Sequence, residues 1–456
     1  MDSLETTLSV EQCQKARLAR DARFDGQFYI AVKTTGIFCR PICPASPPKE
    51  INVEYYPNQV LALKAGYRPC LRCRPDSAPS SWAWKGVETT FLRAVSLIEQ
   101  GELQQSTLPE FSERLGVSDR YVRMLFGKYV GVSPKQYAQY HQVMFAKQLL
   151  HSTSMSIQEV GFACGFNSTR RFNDSFKKTL QLTPTQVRQS KRAVSASNRI
   201  SLSFKGAFDW QYLLAFYRAR AIEGVELVSE NSYERKINVD GVSGWFKATY
   251  PGKQAVDIEF ELEDYAVLRA FVTQVRRMFD LDVDLTQVES HFESLAPNLI
   301  TRSGIRIPGV WNHWEAGVRA VLGQQVSVKA AIGQLNLLVK HVSQATGGQV
   351  HFPSPEDIAN LDLSFLRMPQ SRKDTLKRFA EYMQDNAKAH PSEWLPLKGI
   401  GPWTIQYALL RGLSEPNCFL TGDLIVKKAM SKFPELTEES VAPWGSYATF
   451  HCWSSV

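Results

Sequence analysis

The stretch Pro396-Leu-Lys-Gly-Ile-Gly-Pro-Trp-Thr404 decides how the second half of this 456-residue chain is read. Its pattern predicts a helix, a tight Gly-x-Gly hairpin and a new helix beginning near Pro402. Glycines let a backbone approach a phosphate closely, and the amides opening the second helix would point at it. A Gly-Ile-Gly turn alone says little, because such turns are common. Nineteen residues past the Ile-Gly-Pro turn, however, comes Thr421-Gly-Asp-Leu-Ile-Val-Lys427. Asp423 is placed there to cap a helix, to carry chemistry beside the hairpin, or both.

A hairpin followed at this distance by a Gly-Asp pair resembles the helix-hairpin-helix DNA glycosylase superfamily. The resemblance implies a catalytic carboxylate at Asp423 and DNA contact at Gly399 and Gly401. In members that also cut the strand, a lysine nucleophile lies two residues after the second hairpin glycine. Here that residue is Trp403, so no Schiff base is expected at this position. Trp403, with Tyr407 one turn later and Trp453 near the end, is instead similar to AlkA-type 3-methyladenine glycosylases. Electron-rich rings suit a cationic alkylated purine, although core packing is the plain alternative for each. Upstream, Ala320-Val-Leu-Gly-Gln-Gln-Val-Ser-Val328 resembles the family segment that fills the gap left by a flipped base, which makes Gln325 the expected wedge.

Working outward, residues 200–284 alternate in pattern. A strand at Ile200–Phe204 precedes an amphipathic segment 208–222, several strands within Val225–Leu262 and a helix at Tyr265–Phe279. This α+β segment fits the N-terminal domain of AlkA proteins. Residues 285–456 return to helices broken by Pro/Gly loops. Residues 86–190 read as short helices, bounded by polar linkers at Pro75–Ser81 and 191–200. Four segments are therefore expected: a small α+β zinc domain (1–80), an all-α double helix-turn-helix (86–190), an α+β domain (200–284) and an all-α helix-hairpin-helix domain (285–456).

Four of the eight cysteines form the pairs Cys39-x3-Cys43 and Cys70-x2-Cys73, separated by 26 residues. A pair spaced this closely reaches one ion from a single turn, and two pairs close a tetrahedral zinc site. The surrounding Thr34-Thr-Gly-Ile-Phe-Cys-Arg-Pro41 and Gly66-Tyr-Arg-Pro-Cys-Leu-Arg-Cys-Arg-Pro-Asp76 resemble the methyl-phosphotriester-accepting domain of the Ada family. The resemblance implies that Cys39 irreversibly accepts a methyl group from a DNA phosphotriester, with Thr35 and Arg68 as phosphate contacts. Methylating one ligand of a dianionic four-thiolate site removes a unit of repulsion from DNA, so repair can switch on binding. A further arginine of the family is Ser46 here, and no Pro-Cys-His-Arg motif of the alkylguanine methyltransferase module occurs.

An internal repeat at an offset of 50 pairs Ser118, Phe126, Lys128, Ser133 and Pro134 with Ser168, Phe176, Lys178, Thr183 and Pro184. Each copy reads as a helix, a glycine turn and a capped helix, a doubled helix-turn-helix. The second copy turns at Gly165, is capped by Asn167 or Ser168, and presents Arg170, Arg171 and Asn173 outward; Arg120 and Arg123 hold the equivalent face of the first. The pair resembles the AraC-family DNA-binding domain, except that Gln181 replaces the glycine found at Gly131 in the first copy. Charge agrees with a polyanion partner. Residues 81–200 carry 16 Lys/Arg against 8 acids, whereas residues 201–456 carry 26 against 29.

Together these readings make the chain an Ada-type sensor fused to an AlkA-type glycosylase. The expected activities are stoichiometric phosphotriester repair with transcriptional activation, and excision of alkylated bases by hydrolysis without strand cleavage. One Zn2+ per chain is expected, with double-stranded DNA and RNA polymerase as partners and a monomeric state. No apolar run approaches the roughly 18 residues a membrane helix needs, and the N-terminus lacks a signal-peptide core, so a cytoplasmic location is expected. Two rivals remain open. One is an oxidised-purine or mismatch glycosylase, against which Trp403 and the aromatic set argue. The other is a zinc-dependent transcription factor whose C-terminal half only binds damaged DNA, since Gly422 stands where some relatives carry a second acid.

Overall fold

The structure is a computed structural model that describes residues 8–454 apart from 22–23, 26, 71, 74, 76–88, 100, 190–197, 346 and 348–349. Most of both expected linkers lies outside the described residues. The second ends earlier than expected, because Asn198–Ile200 already belongs to a strand spanning Asn198–Ser203. Its alternate residues Ile200 and Leu202 are buried, so the two-residue side-chain period extends the strand backwards. The chain divides into two compact units, residues 1–204 with Asp264–Ala270, and residues 205–263 with 271–456.

In the first unit, a four-stranded sheet has the order Val53–Tyr56, Tyr29–Val32, Ile37–Cys39, Arg68–Pro69. The first three strands are antiparallel neighbours, while Arg68–Pro69 joins Ile37–Cys39 in parallel. Small clusters around Phe28 and Ile30 and around Phe38 and Ala62 fill its two faces. The helical part follows. Helices Leu108–Arg114 and Asp119–Tyr129 form one helix-turn-helix, Ile157–Ala163 and Thr169–Leu180 the other, and the 19-residue helix Pro134–Ser152 joins them. The repeat is legible atom by atom. Ser118 and Ser168 cap equivalent helices, and Ser133–Gln136 and Thr183–Gln186 form equivalent reciprocal caps. Gln181 takes the left-handed conformation (φ 55°) that Gly131 takes (φ 73°), so the fold imposes the turn at some strain without the glycine.

In the second unit, strands Glu226–Val228, Ser232–Val239, Val242–Thr249 and Ala255–Leu262 form an antiparallel meander. Asp240-Gly241 closes its long hairpin with both residues at positive φ (49° and 88°), the requirement of a two-residue turn matched to strand twist. Helix His313–Gly323 is buried along its length from Trp314 to Leu322 and forms the axis of the helical part. It crosses helix Pro402–Gly412 closely: a Cβ on Gly412 would lie 2.6 Å from the Cα of His313. The helix expected before the hairpin is a single 3-10 turn, Pro391–Trp394. Pro396 forbids a regular helix running up to the hairpin, because it lacks an N–H and crowds the preceding turn.

Candidate functional site

Two constellations carry chemistry. In the first unit, Cys39 ends its strand, the Arg40–Cys43 turn brings in Cys43, and the main chain of Cys70 bonds the carbonyl of Phe38 at 2.9 Å. The four sulfurs of Cys39, Cys43, Cys70 and Cys73 lie within 4.8 Å of one another. A tetrahedral site with Zn–S bonds of about 2.3 Å needs sulfurs roughly 3.8 Å apart, so the donor set and its span fit zinc. This is the protein's Zn2+ site. Its ligands are unequally accessible: Cys70 and Cys73 are buried, while Cys39 and Cys43 are half-buried. The Arg40 N–H reaches the Cys73 sulfur at 3.4 Å, and its guanidinium forks onto the buried Asp25. Thr35 is exposed in the turn before Cys39's strand, and Arg68 lies opposite Ile37 in that strand's parallel neighbour.

On the paired helix-turn-helix, Arg120, Arg123, Arg170, Arg171 and Asn173 are all exposed, while Phe172 and Phe176 are fully buried behind them. Ser168, rather than Asn167, caps the second reading helix, accepting from the Arg171 N–H at 3.3 Å. Arg123 is held by Asp119 one turn earlier, at 2.8 Å.

In the second unit, a cavity of about 450 Å³ gathers Trp403, Tyr407, Asp423 and Trp453. Trp403 and Tyr407 are stacked, with centroids 5.3 Å apart and planes at 28°. Asp423 caps helix Leu424–Lys432. Its Oδ1 accepts three bonds, from the N–H groups of Ile425 and Val426 at 2.9 and 3.2 Å and from the Trp453 indole at 3.2 Å. Oδ2 has no partner among the described residues. Burial, and then the Asp423 charge, push the neighbouring Cys452 thiol up to about 12, so it stays a neutral thiol. Among the described residues no lysine lines the cavity.

The hairpin sits beside this wall. Gly399 has φ 96°, and a Cβ there would meet Thr375 Oγ1 at 2.0 Å; Gly401 has open space around it. Gln324 donates to the carbonyl of Gly399 at 3.0 Å, tying the hairpin to the adjoining turn. In that turn Gln325 is exposed and left-handed (φ 56°), a strained conformation for a non-glycine residue. It does not line the cavity, whereas its neighbour Val326 does.

Sequence reasoning missed much of the cavity lining. Tyr212, Phe216 and Arg220 also line it at four-residue spacing, matching the four-residue spacing of Trp403, Tyr407 and Arg411. That period was visible in Tyr212-Leu-Leu-Ala-Phe-Tyr-Arg-Ala-Arg220. Beside them Arg319, which also lines the cavity, and Arg235 meet Glu226 and Glu315 in a buried network. Burial opposes charge on Arg319, but the two glutamates hold it protonated.

Three family models match separate segments of the chain. The family described as the metal binding domain of Ada matches residues 12–76, a helix-turn-helix domain family matches 111–190, and the AlkA N-terminal domain family matches 199–312. The chain is 30% identical to the bifunctional transcriptional activator/DNA repair enzyme AdaA of Bacillus subtilis, over 43% of this chain and 90% of that one. It is 29% identical to DNA-3-methyladenine glycosylase 2 of Escherichia coli, over 56% of this chain and 96% of that one. Across nearly the full length, 98% of this chain and 96% of the relative, it is 32% identical to a probable bifunctional transcriptional activator/DNA repair enzyme AlkA of Mycobacterium tuberculosis. The chain belongs to that family of bifunctional proteins, in which an Ada-type metal-binding and helix-turn-helix half is fused to an AlkA-type half.

Proposed function

We propose that the protein repairs and reports alkylation damage with two chemistries. Cys39 takes a methyl group from a DNA methyl-phosphotriester, and the second half excises alkylated bases such as 3-methyladenine by hydrolysing the N-glycosidic bond. Zinc, when bound, keeps its ligand cysteines as thiolates at neutral pH. The half-buried position of Cys39 favours it as acceptor over Cys70 and Cys73, and Thr35 and Arg68 flank its strand to meet the phosphate. Methylation lowers the negative charge of the cluster, and Arg120, Arg123, Arg170, Arg171 and Asn173 then read the promoter from two major-groove helices. Two reading helices on one chain suit a monomer, and RNA polymerase is the activator's protein partner. No helix among the described residues is long and apolar enough to cross a membrane.

For excision, Gly399 and Gly401 hold the backbone, Gln325 fills the gap, and the flipped base stacks on Trp403, Tyr407 and Trp453. The observation that carries this reading is Asp423: one oxygen is fixed by three donors, and the other is left for the reacting sugar. Its charge stabilises the oxocarbenium and orients water. A cationic base leaves without a general acid, so one carboxylate suffices. Because Trp403 stands where a lyase lysine would, the product strand stays intact.

The test incubates the full chain with duplex DNA carrying 7-methylguanine or 3-methyladenine. Free base should appear, the abasic strand should remain uncut, and borohydride should trap no enzyme–DNA adduct. Binding without base release would favour the transcription-factor reading, in which Gly422 marks a disabled site.

A further inference from the structure

Three arginines line the base cavity, and they are not equivalent. Arg319 is spent on Glu315, Glu226 and the carbonyl of Arg220. Arg411 is 1% exposed and donates to the carbonyl of Pro308 and the Tyr407 hydroxyl. Arg220 donates a single long bond, Nη1 to the carbonyl of Phe216 at 3.3 Å, and its Nε and Nη2 donors have no partner among the described residues. Its guanidinium lies 3.7 Å from the centroid of the Phe216 ring, and that of Arg411 lies 4.7 Å from the same centroid. Burial, and then the like charge of Arg411, depress Arg220 to about 10, so the cavity holds an under-satisfied cation.

Measured from free enzyme and DNA, a cationic base gains nothing from such a group, because at the transition state, with the C1′–N bond breaking, that base is neutral. A neutral base is different: the bond's electron pair stays on the base and leaves it negative. We propose that Arg220 is a leaving-group residue, donating its free N–H groups to a departing neutral purine and stabilising that charge. Water supplies hydroxide to C1′, and the proton released from it ends on the expelled base through solvent, so the products are a sugar hemiacetal and a neutral purine. Glu226 and Glu315 serve this step indirectly, by fixing Arg319, which holds the Arg220 backbone. The inference rests on the base-excision reading above and adds a residue to it.

Single-turnover excision by the full chain at subsaturating enzyme, which refers the rate to the free species, from matched duplexes carrying inosine (neutral) or 7-methylguanine (cationic) tests it. Arg220→Met, which keeps the apolar stem and removes charge and donors, should slow hypoxanthine release by about 30-fold or more. Release of 7-methylguanine should stay within about threefold of wild type on that scale, since that base is neutral at the transition state. Arg220→Lys should recover part of the hypoxanthine rate, and both variants should keep wild-type affinity for an abasic-site analogue. Equal losses on both bases, with the lysine variant no better, would make Arg220 structural and overturn the proposal. So would undiminished hypoxanthine release, or a wild type that releases 7-methylguanine but never hypoxanthine. A wild type that releases neither base overturns the excision reading itself.

Discussion

Replacing Asp423 by Asn separates the two jobs its position combines. The three donors to Asp423, from Ile425, Val426 and Trp453, all converge on Oδ1. An Asn placed with its carbonyl oxygen there keeps all three, and its NH2 falls on the site of the unpartnered Oδ2. Asn also caps helices as well as Asp does, so folding stability should change by less than about 1 kcal/mol. The reaction loses the carboxylate charge opposite a developing oxocarbenium. Such stabilisation is commonly worth about 3 kcal/mol or more, which at 1.36 kcal/mol per decade is roughly 100-fold or more in rate. Asp423→Ala should lose the same rate and in addition about 1 kcal/mol of stability, because the cap and the indole bond go too. The assay is single-turnover release of 7-methylguanine, run beside denaturant unfolding of the same proteins. Near-normal release by the Asn variant would reduce Asp423 to a helix cap. A loss of rate matched by a loss of stability would show that the cap, not the charge, matters.

Three further outcomes are expected. The protein should bind one zinc by elemental analysis, and Cys39→Ser should abolish methyl acceptance by mass spectrometry while excision continues; a methyl found on Cys70 or Cys73 would refute the acceptor assignment. Gly399→Ala should destabilise by roughly 2 kcal/mol or more in denaturant unfolding, since its Cβ would overlap Thr375 at a positive φ, whereas Gly401→Ala, with open space, should leave stability unchanged and weaken DNA binding. His451 is fully buried, neither ring nitrogen has a hydrogen-bond partner among the described residues, and burial depresses it to about 4. Its native form therefore binds fewer protons than the unfolded chain between pH 6.5 and 4, so stability present above 6.5 is lost as pH falls, by up to about 3 kcal/mol. His451→Phe should flatten that part of the stability–pH curve relative to wild type, and an unchanged slope would refute the assignment.

What the amino-acid order determined by itself is whatever short-range spacing dictates. Two cysteine pairs three and four residues apart can do little but chelate, and Ser118 and Ser168 announce helix starts because a hydroxyl reaches only its own next turn. The Asp423 cap and the Trp403–Tyr407 stack are equally local, one a helix start and the other a single turn. The strand start at Asn198 and the reduced helix at Pro391–Trp394 escaped because element ends depend on burial and on proline sterics rather than on period alone. The tertiary structure alone decided the rest of the cavity lining. Phe216 meets Arg411 across 195 positions, and Arg319 meets Glu226 across 93, and no periodicity encodes such pairs. Whether a guanidinium is neutralised by a buried carboxylate, as in Arg319, or left with open donors, as in Arg220, follows from which side chains folding brings within about 3 Å of it, and that distance is a property of the packed core.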